Sequence, residues 1–207
     1  MTIAIIDYGM GNVRSLANAF EYLGADTVLS NDPGELAEAE RLVLPGVGAF
    51  GDAMVAIGES GLRPVLDRLA LEEKKPVLGV CLGMQLFAKT SSEHGTHEGL
   101  GWLDAEILPL KVAPPAKVPH VGWNAVSFEG PNAWLFKGLP DGESDYYFVH
   151  SFHMVCHNPE DRIATCDHGG TVTAAVGRSN LIATQFHPEK SQDNGLQLLQ
   201  NWLDHAF

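Results

Sequence analysis

The stretch Pro76-Val77-Leu78-Gly79-Val80-Cys81-Leu82-Gly83-Met84-Gln85-Leu86 restricts the architecture more than any other in the chain. An apolar run leads into a cysteine set between two glycines, and a helix-forming run leads out. Gly79-x-Cys81-x-Gly83 is the cysteine form of a nucleophile elbow, a tight strand-to-helix turn that lifts its central side chain above a sheet. Glycine suits the flanking positions because a strained residue crowds its neighbours and glycine has no Cβ to clash. A cysteine at a helix N-terminus also meets unpaired N–H groups and the positive end of the helix dipole, which favour thiolate. Taken alone, Cys81 reads equally well as a small buried hydrophobe at the end of a core strand. The elbow reading requires a sheet beneath it, and a base and an oxyanion site from elsewhere in the chain.

The order of elements before the elbow supplies the sheet. Ile3 to Ile6 is a β-branched run suited to a strand buried on both faces. Val13, Leu16, Ala17, Phe20 and Leu23 follow helical spacing, and Gly24 ends that helix. A strand over 27–29, a helix over 33–39 and a strand over 41–44 come next, then helical segments over 52–57 and 62–73. This alternation predicts βα units and a right-handed, doubly wound parallel sheet. The turn Gly9-Met10-Gly11 has Arg14 where a dinucleotide fingerprint needs its third glycine, so a βα turn or a partner-facing loop fits better.

Past Ser91 the character changes. Residues 91–101 read as loop. Strand-like runs follow over 105–110, 121–128, 146–155, 172–176 and 181–186, the last two joined as a hairpin through Gly177-Arg178-Ser179-Asn180. Leu196, Leu199, Trp202 and Leu203 form the apolar face of a final helix over 193–207. The expected fold is therefore α/β: a central, mostly parallel sheet flanked by helices, with an added antiparallel strand layer. No linker or repeat divides the chain, and residues 1–207 read as a single domain.

The base comes from Gln185-Phe186-His187-Pro188-Glu189-Lys190-Ser191. Pro188 biases His187 toward an extended conformation, and residues two apart in extended chain share a face. Glu189 can then hold the imidazole tautomer while the other ring nitrogen meets Cys81, the arrangement an activated nucleophile needs. For the oxyanion site, Leu82 follows the nucleophile and is the natural first N–H donor. Gly46-Val47-Gly48, after the 41–44 strand, is the second candidate, with Val47 or Gly48 turning an N–H inward.

Composition narrows the partners. The formal net charge of -13 repels nucleic acid and anionic membrane surfaces, so neither is expected. No apolar run reaches the ~20 residues of a membrane helix. The three cysteines make no disulfide framework, which points to a reduced, cytoplasmic setting. His150, His153, Cys156, His157, Cys166 and His168 lack a convergent four-ligand spacing, so no metal and no cofactor are expected.

Pro45-Gly46-Val47-Gly48, Gly79 to Gln85, Pro119-His120-Val121-Gly122-Trp123-Asn124, Tyr146-Tyr147-Phe148-Val149-His150-Ser151-Phe152 and Gln185 to Ser191 together resemble the class I (triad) glutamine amidotransferases. More narrowly they resemble the glutaminase subunits of imidazole glycerol phosphate synthase, and Asp7 to Asn12 fits as well. The resemblance implies hydrolysis of L-glutamine through a Cys81 thioester, with Cys81, His187 and Glu189 as the triad. It implies glutamine binding by Gly46, Gly48, Gln85, Ser151 and Phe152, where Phe152 replaces a tyrosine found in many relatives. It implies a heterodimer with a (β/α)₈-barrel cyclase subunit that receives the ammonia, weak glutaminase activity until that partner is loaded, and a peptide flip at 46–48 as a switch. Asn12, Trp123 and Asn124 are placed by it at the partner interface; from the residues alone, core packing is an equal reading for Trp123 and Asn124. A glutaminase subunit of another synthase and a cysteine peptidase of similar fold are the alternatives, and the Pro119 to Asn124 motif speaks against the first.

Overall fold

The computed structural model describes residues 1–128, 131–140 and 143–207. The first half is a run of βα units. It comprises β1 (Thr2–Ile6), α1 (Val13–Tyr22), β2 (Asp26–Ser30), α2 (Pro33–Glu38), β3 (Arg41–Leu44), α3 (Phe50–Glu59), α4 (Leu62–Asp67), β4 (Val77–Val80) and α5 (Leu82–Gln85). A π-helical turn, Arg68–Glu72, prolongs α4. The second half is strand-rich: β5 (Thr90–Ser91), β6 (His97–Glu98), β7 (Ala105–Pro109), β8 (His120–Phe128), β9 (Glu143–His150), β10 (Phe152–Cys156), β11 (Arg162–Asp167), β12 (Thr171–Arg178) and β13 (Leu181–Thr184). Helix α6 (Gln192–Asp204) closes the chain.

One nine-stranded sheet, ordered β2-β1-β3-β4-β13-β12-β11-β8-β9, dominates. Its first five strands are parallel and the remainder antiparallel. The expected antiparallel layer thus has a different form. Most of those strands extend the parallel sheet edge to edge, because β13 pairs β4 on one side and its hairpin partner β12 on the other. Only β10, β7, β5 and β6 form a second, four-stranded sheet. Three local expectations change with it. The single strand read over 146–155 is two strands in different sheets, parted at Ser151. The loop read over 91–101 contains β6. Strand β11 was not anticipated.

Alternation along the parallel strands builds two cores. Ala4 and Ile6 of β1 join Leu42 and Leu44 of β3 against Leu36, Ala53, Ile57 and Leu66 of α2, α3 and α4. Ile3 and Ile5 join Val43 and Leu78 against Leu16 and Phe20 of α1 and Leu198, Leu199 and Trp202 of α6. Successive strand side chains point to opposite faces, so a sheet covered on both sides needs apolar residues at every position. Among the described residues, no helix is long and apolar enough to cross a membrane.

Candidate active site

The carboxyl ends of β3, β4 and β13 converge, and the chain leaves each through a tight turn. Cys81, directly after β4, has φ 56° and ψ -110°, a backbone state that costs roughly 1–3 kcal/mol for a residue with a side chain. Neighbouring bonds hold it there. Its N–H donates to the Thr184 carbonyl at 2.8 Å, and its carbonyl accepts from Met84 N–H at 3.0 Å as α5 begins. Gly83 is required by space: a Cβ there would lie 1.8 Å from the Leu44 carbonyl oxygen. Helix α5 is a single turn, so the helix dipole at Cys81 is smaller than expected.

Cys81, Gln85 and His187 line one cavity of about 450 Å³ with Leu82, Val47 and Gly48. Ser151 and Phe152 line it as well, the Phe152 carbonyl accepting from Gln85 Nε2. Gly46 lies behind the wall, where its Cβ would come within 2.8 Å of Leu82 Cβ. The Tyr8 hydroxyl donates to the Pro45 carbonyl at 2.7 Å and anchors the base of this loop. Burial, with the Cys81 charge second, raises the Tyr8 pKa and keeps the phenol a donor. Beyond that anchor the loop is loose: Val47 is 41% exposed and Gly48 has φ 101°. Among the described residues, Leu82 N–H and Gly48 N–H have no acceptor.

His187 follows β13 in extended conformation, but the chain then turns into a 3₁₀ helix, Pro188–Lys190. Glu189 therefore reaches the imidazole by a turn and not along an extended strand. The result is the expected contact, His187 Nδ1 to Glu189 Oε1 at 2.8 Å, with both side chains almost wholly buried. A carboxylate can only accept here, so Nδ1 carries the proton and Nε2 points to the nucleophile side. Nε2 is buried and has no hydrogen-bond partner among the described residues. Burial opposes the imidazolium, yet the charges of Cys81 and Glu189 and the hydrogen bond to Glu189 push His187 up to about 9.

Several residues that matter here had no role in the sequence reading. Ser191 ties the His187 turn to β9: its hydroxyl donates to the His187 carbonyl at 2.6 Å and accepts from Tyr147 N–H at 3.0 Å. Gly195 lets α6 press against that turn, since a Cβ would sit 1.8 Å from the Pro188 carbonyl oxygen. The buried Gln185 amide donates to Cys81 Sγ at 3.8 Å and accepts from Gln85 Nε2 at 3.0 Å. Glu93 brings a carboxylate to the cavity wall, where it also caps α3 by accepting from Phe50 N–H at 2.7 Å. Lys190 adds a cation. The signal for Ser191 and Gln185 lay in the motif around His187, two residues from Glu189 and from His187 respectively. Glu93, in a segment read as loop, carried none.

Asn12, Trp123 and Asn124 lie outside the cavity. Asn12 is exposed just before α1, where its side-chain oxygen accepts from the Ser15 hydroxyl at 3.1 Å. Trp123 is 49% exposed on β8, edge-on to Tyr147 of β9 with ring centroids 6.1 Å apart. That exposure removes the core-packing reading of Trp123. Asn124 is half-buried and donates to the Asp167 carbonyl at 2.8 Å.

A cysteine sulfur, an imidazole oriented by a carboxylate and two lining residues whose N–H groups have no acceptor are the parts that acyl transfer from an amide or ester would use. Comparison with known proteins agrees. The family model "Glutamine amidotransferase class-I" matches residues 4–206. The imidazole glycerol phosphate synthase subunit HisH 2 of Nitrobacter winogradskyi is 46% identical over 208 residues, covering 97% of each chain. Imidazole glycerol phosphate synthase subunit HisH of Rhodopirellula baltica is 47% identical, over 97% of this chain and 96% of the relative. That of Zymomonas mobilis is 45% identical, over 98% and 95%. Among solved structures, PurLQS from Thermotoga maritima superposes with a TM-score of 0.74 at 19% identity, covering 98% of this chain and 97% of that one. The crystal structure of a glutamine amidotransferase gives 0.72 at 19%, covering 96% and 98%; both establish the fold alone. The chain belongs to the class-I glutamine amidotransferases and, within them, to the HisH subunits of imidazole glycerol phosphate synthase.

Proposed function

We propose that this chain hydrolyses the side-chain amide of L-glutamine and passes the ammonia to a (β/α)₈-barrel cyclase subunit of imidazole glycerol phosphate synthase. The observation that carries the reading is the meeting of Cys81 and the Glu189-oriented His187 on one cavity, in a chain of this family. The Cys81 thiolate attacks the amide carbon, and the oxygen charge that develops is taken up by Leu82 N–H and a donor from Val47 or Gly48. Protonated His187 is the acid that the departing nitrogen needs, so its raised pKa fits the first half-reaction. Once the proton has left with ammonia, neutral His187 removes one from water, which hydrolyses the thioester to glutamate and frees Cys81. Gln85, Ser151 and Phe152 hold the substrate with Gly46 and Gly48, and the Glu93 carboxylate suits its α-ammonium group. The backbone freedom at 47–48 supports an oxyanion donor that turns inward only when the partner is loaded.

Ammonia must leave without meeting solvent, and one strand marks the way. The Val149 carbonyl is 4.0 Å from Cys81 Sγ, while the Val149 side chain is 40% exposed. Val121 stands opposite Val149, and Trp123 opposite Tyr147, across the β8–β9 ladder. This apolar patch, beside the cavity, is the proposed docking face; Asn12 and Asn124 belong to the same assignment. Three unpaired cysteines suit a reducing, cytoplasmic compartment. The test is glutamine turnover by wild type and Cys81→Ala, with and without the barrel partner and its nucleotide ligand. Wild type should respond to the loaded partner. Cys81→Ala should be inactive with glutamine, while its complex still runs on added ammonia. Glutamine-dependent turnover in Cys81→Ala would refute the mechanism.

A further inference from the structure

Two buried histidines stand directly opposite each other on β8 and β9, and triad chemistry uses neither. His120 and His150 are register partners, with His120 Nδ1 2.9 Å from His150 Nε2. Every proton between them can be assigned from the ends inward. His150 Nδ1 is 2.8 Å from the Phe152 carbonyl, which can only accept, so Nδ1 carries a hydrogen. His150 Nε2 is then a bare acceptor, and His120 Nδ1 must be its donor. His120 Nε2 is bare in turn and faces Asn124 Nδ2 at 3.2 Å. The amide orientation of Asn124 is fixed independently, because Nδ2 also donates to the Asp167 carbonyl. Both rings are neutral in this pattern, and burial pushes His120 down to about 4 and His150 to about 3.

The relay runs between two distinct places. At one end, Asn124 and His120 line a groove with Ala113, Ala116 and His168, and the His168 ring stacks on His120 at 3.8 Å. At the other end, the Phe152 carbonyl lies in the cavity wall and accepts a second hydrogen bond, from Gln85 Nε2 at 3.1 Å. The same Gln85 amide meets Gln185, whose own amide donates to Cys81 Sγ.

We propose that His120 and His150 are positioning residues for glutamine binding: as one directional relay they fix the Phe152 carbonyl and, through it, Gln85. The proposal rests on reading the cavity as the glutamine site.

Two variants separate this role from general packing. His120→Phe keeps a planar ring for stacking on Phe148 but removes the donor to His150, leaving its Nε2 unpaired and its Nδ1–H held by the Phe152 carbonyl alone. His120→Asn places an amide N–H where Nδ1 was. We expect His120→Phe to raise KM for glutamine roughly tenfold with a smaller change in kcat, consistent with one lost positioning hydrogen bond. His120→Asn should recover most of the loss. Long-range nitrogen–proton NMR correlations of His150 should show a single Nδ1–H tautomer in wild type and in His120→Asn, with Nε2 hydrogen-bonded, and an Nε2 shift moved to that of an unbonded ring nitrogen in His120→Phe. An Nε2–H or mixed tautomer in wild type, or an unchanged KM in His120→Phe, would overturn the proposal. If wild type with its partner failed to hydrolyse glutamine, the functional reading would fall, while the NMR result would still decide whether the relay exists.

Discussion

His187 is the residue on which burial, charge and hydrogen bonding compete most directly. It is buried, which favours the neutral ring, yet its pKa is raised to about 9 because Cys81 and Glu189 together outweigh that penalty. A histidine whose folded pKa lies above its ordinary 6.5 adds stability that is complete below about pH 6.5. That contribution is lost as pH rises through about 9. The difference bounds it at ~3 kcal/mol. His187→Asn keeps a donor toward Glu189 but cannot charge. The urea midpoint of wild type should therefore exceed that of the variant most at pH 6.5, and the gap should close toward pH 9.5. A gap independent of pH over that range would mean that His187 is not charged in the fold. In turnover, His187→Ala should lose more than Glu189→Ala, since the first removes the proton carrier and the second only its orientation. Glutamine kcat for the two complexes checks the ranking, and the reverse order would count against the roles assigned.

Elements position these side chains through close approaches that only glycine allows. Gly195 in α6 is a clear case, because a Cβ there would meet the backbone of Pro188, between His187 and Glu189. Backbone atoms cannot swing aside as a side chain can. Gly195→Ala should cost more than ~2 kcal/mol of stability as α6 and the His187 turn separate. Glutaminase kcat should fall at least about tenfold, since small displacements of a positioned group are costly. Gly58 in α3 has open space around its Cβ position, so in thermal melts of both variants Gly58→Ala should be neutral or slightly stabilising. Equal effects of the two substitutions would refute the argument. Gly195 also shows where sequence stops informing. The spacing of Leu196, Leu199, Trp202 and Leu203 reveals the helix, but nothing local says that its first turn presses on a segment before it. The parallel strands were legible because burial on both faces leaves unbroken β-branched runs. Tyr146 to Val155 misled for the same reason, as neither proline nor glycine marks the change of sheet at Ser151. Strand β11 was hidden because Ile163 is its only aliphatic β-branched residue and the rest of the strand is small or polar. Cys81, His187 and Glu189 stood out in short motifs with a mechanical reason for each residue, whereas Glu93 reaches the cavity only through tertiary structure.

For the molecule as a whole, the unusual feature is an apolar ridge on a chain with formal net charge -13. Val121, Trp123 and Val149 are 56%, 49% and 40% exposed, on the β8–β9 ribbon at the end of the large sheet. Exposed apolar residues standing singly need no explanation, whereas this set beside the cavity is what the proposed partner would cover. Trp123 is the natural anchor: it is large, rigid and supported only edge-on by Tyr147, so docking would bury most of it. On the proposed assembly, Trp123→Ala should weaken binding of the barrel partner by about 2 kcal/mol or more, roughly thirtyfold in Kd, as titration calorimetry would measure. Stoichiometry should be unchanged, because the rest of the ridge stays in place. Partner stimulation of glutamine turnover should then shift to proportionally higher barrel-partner concentration. Val55, 57% exposed on α3, supplies the comparison, since Val55→Ala should leave the affinity unchanged. An unaltered Kd in Trp123→Ala would move the docking face away from β8 and β9, and with it the short route past the Val149 carbonyl that ammonia is proposed to take.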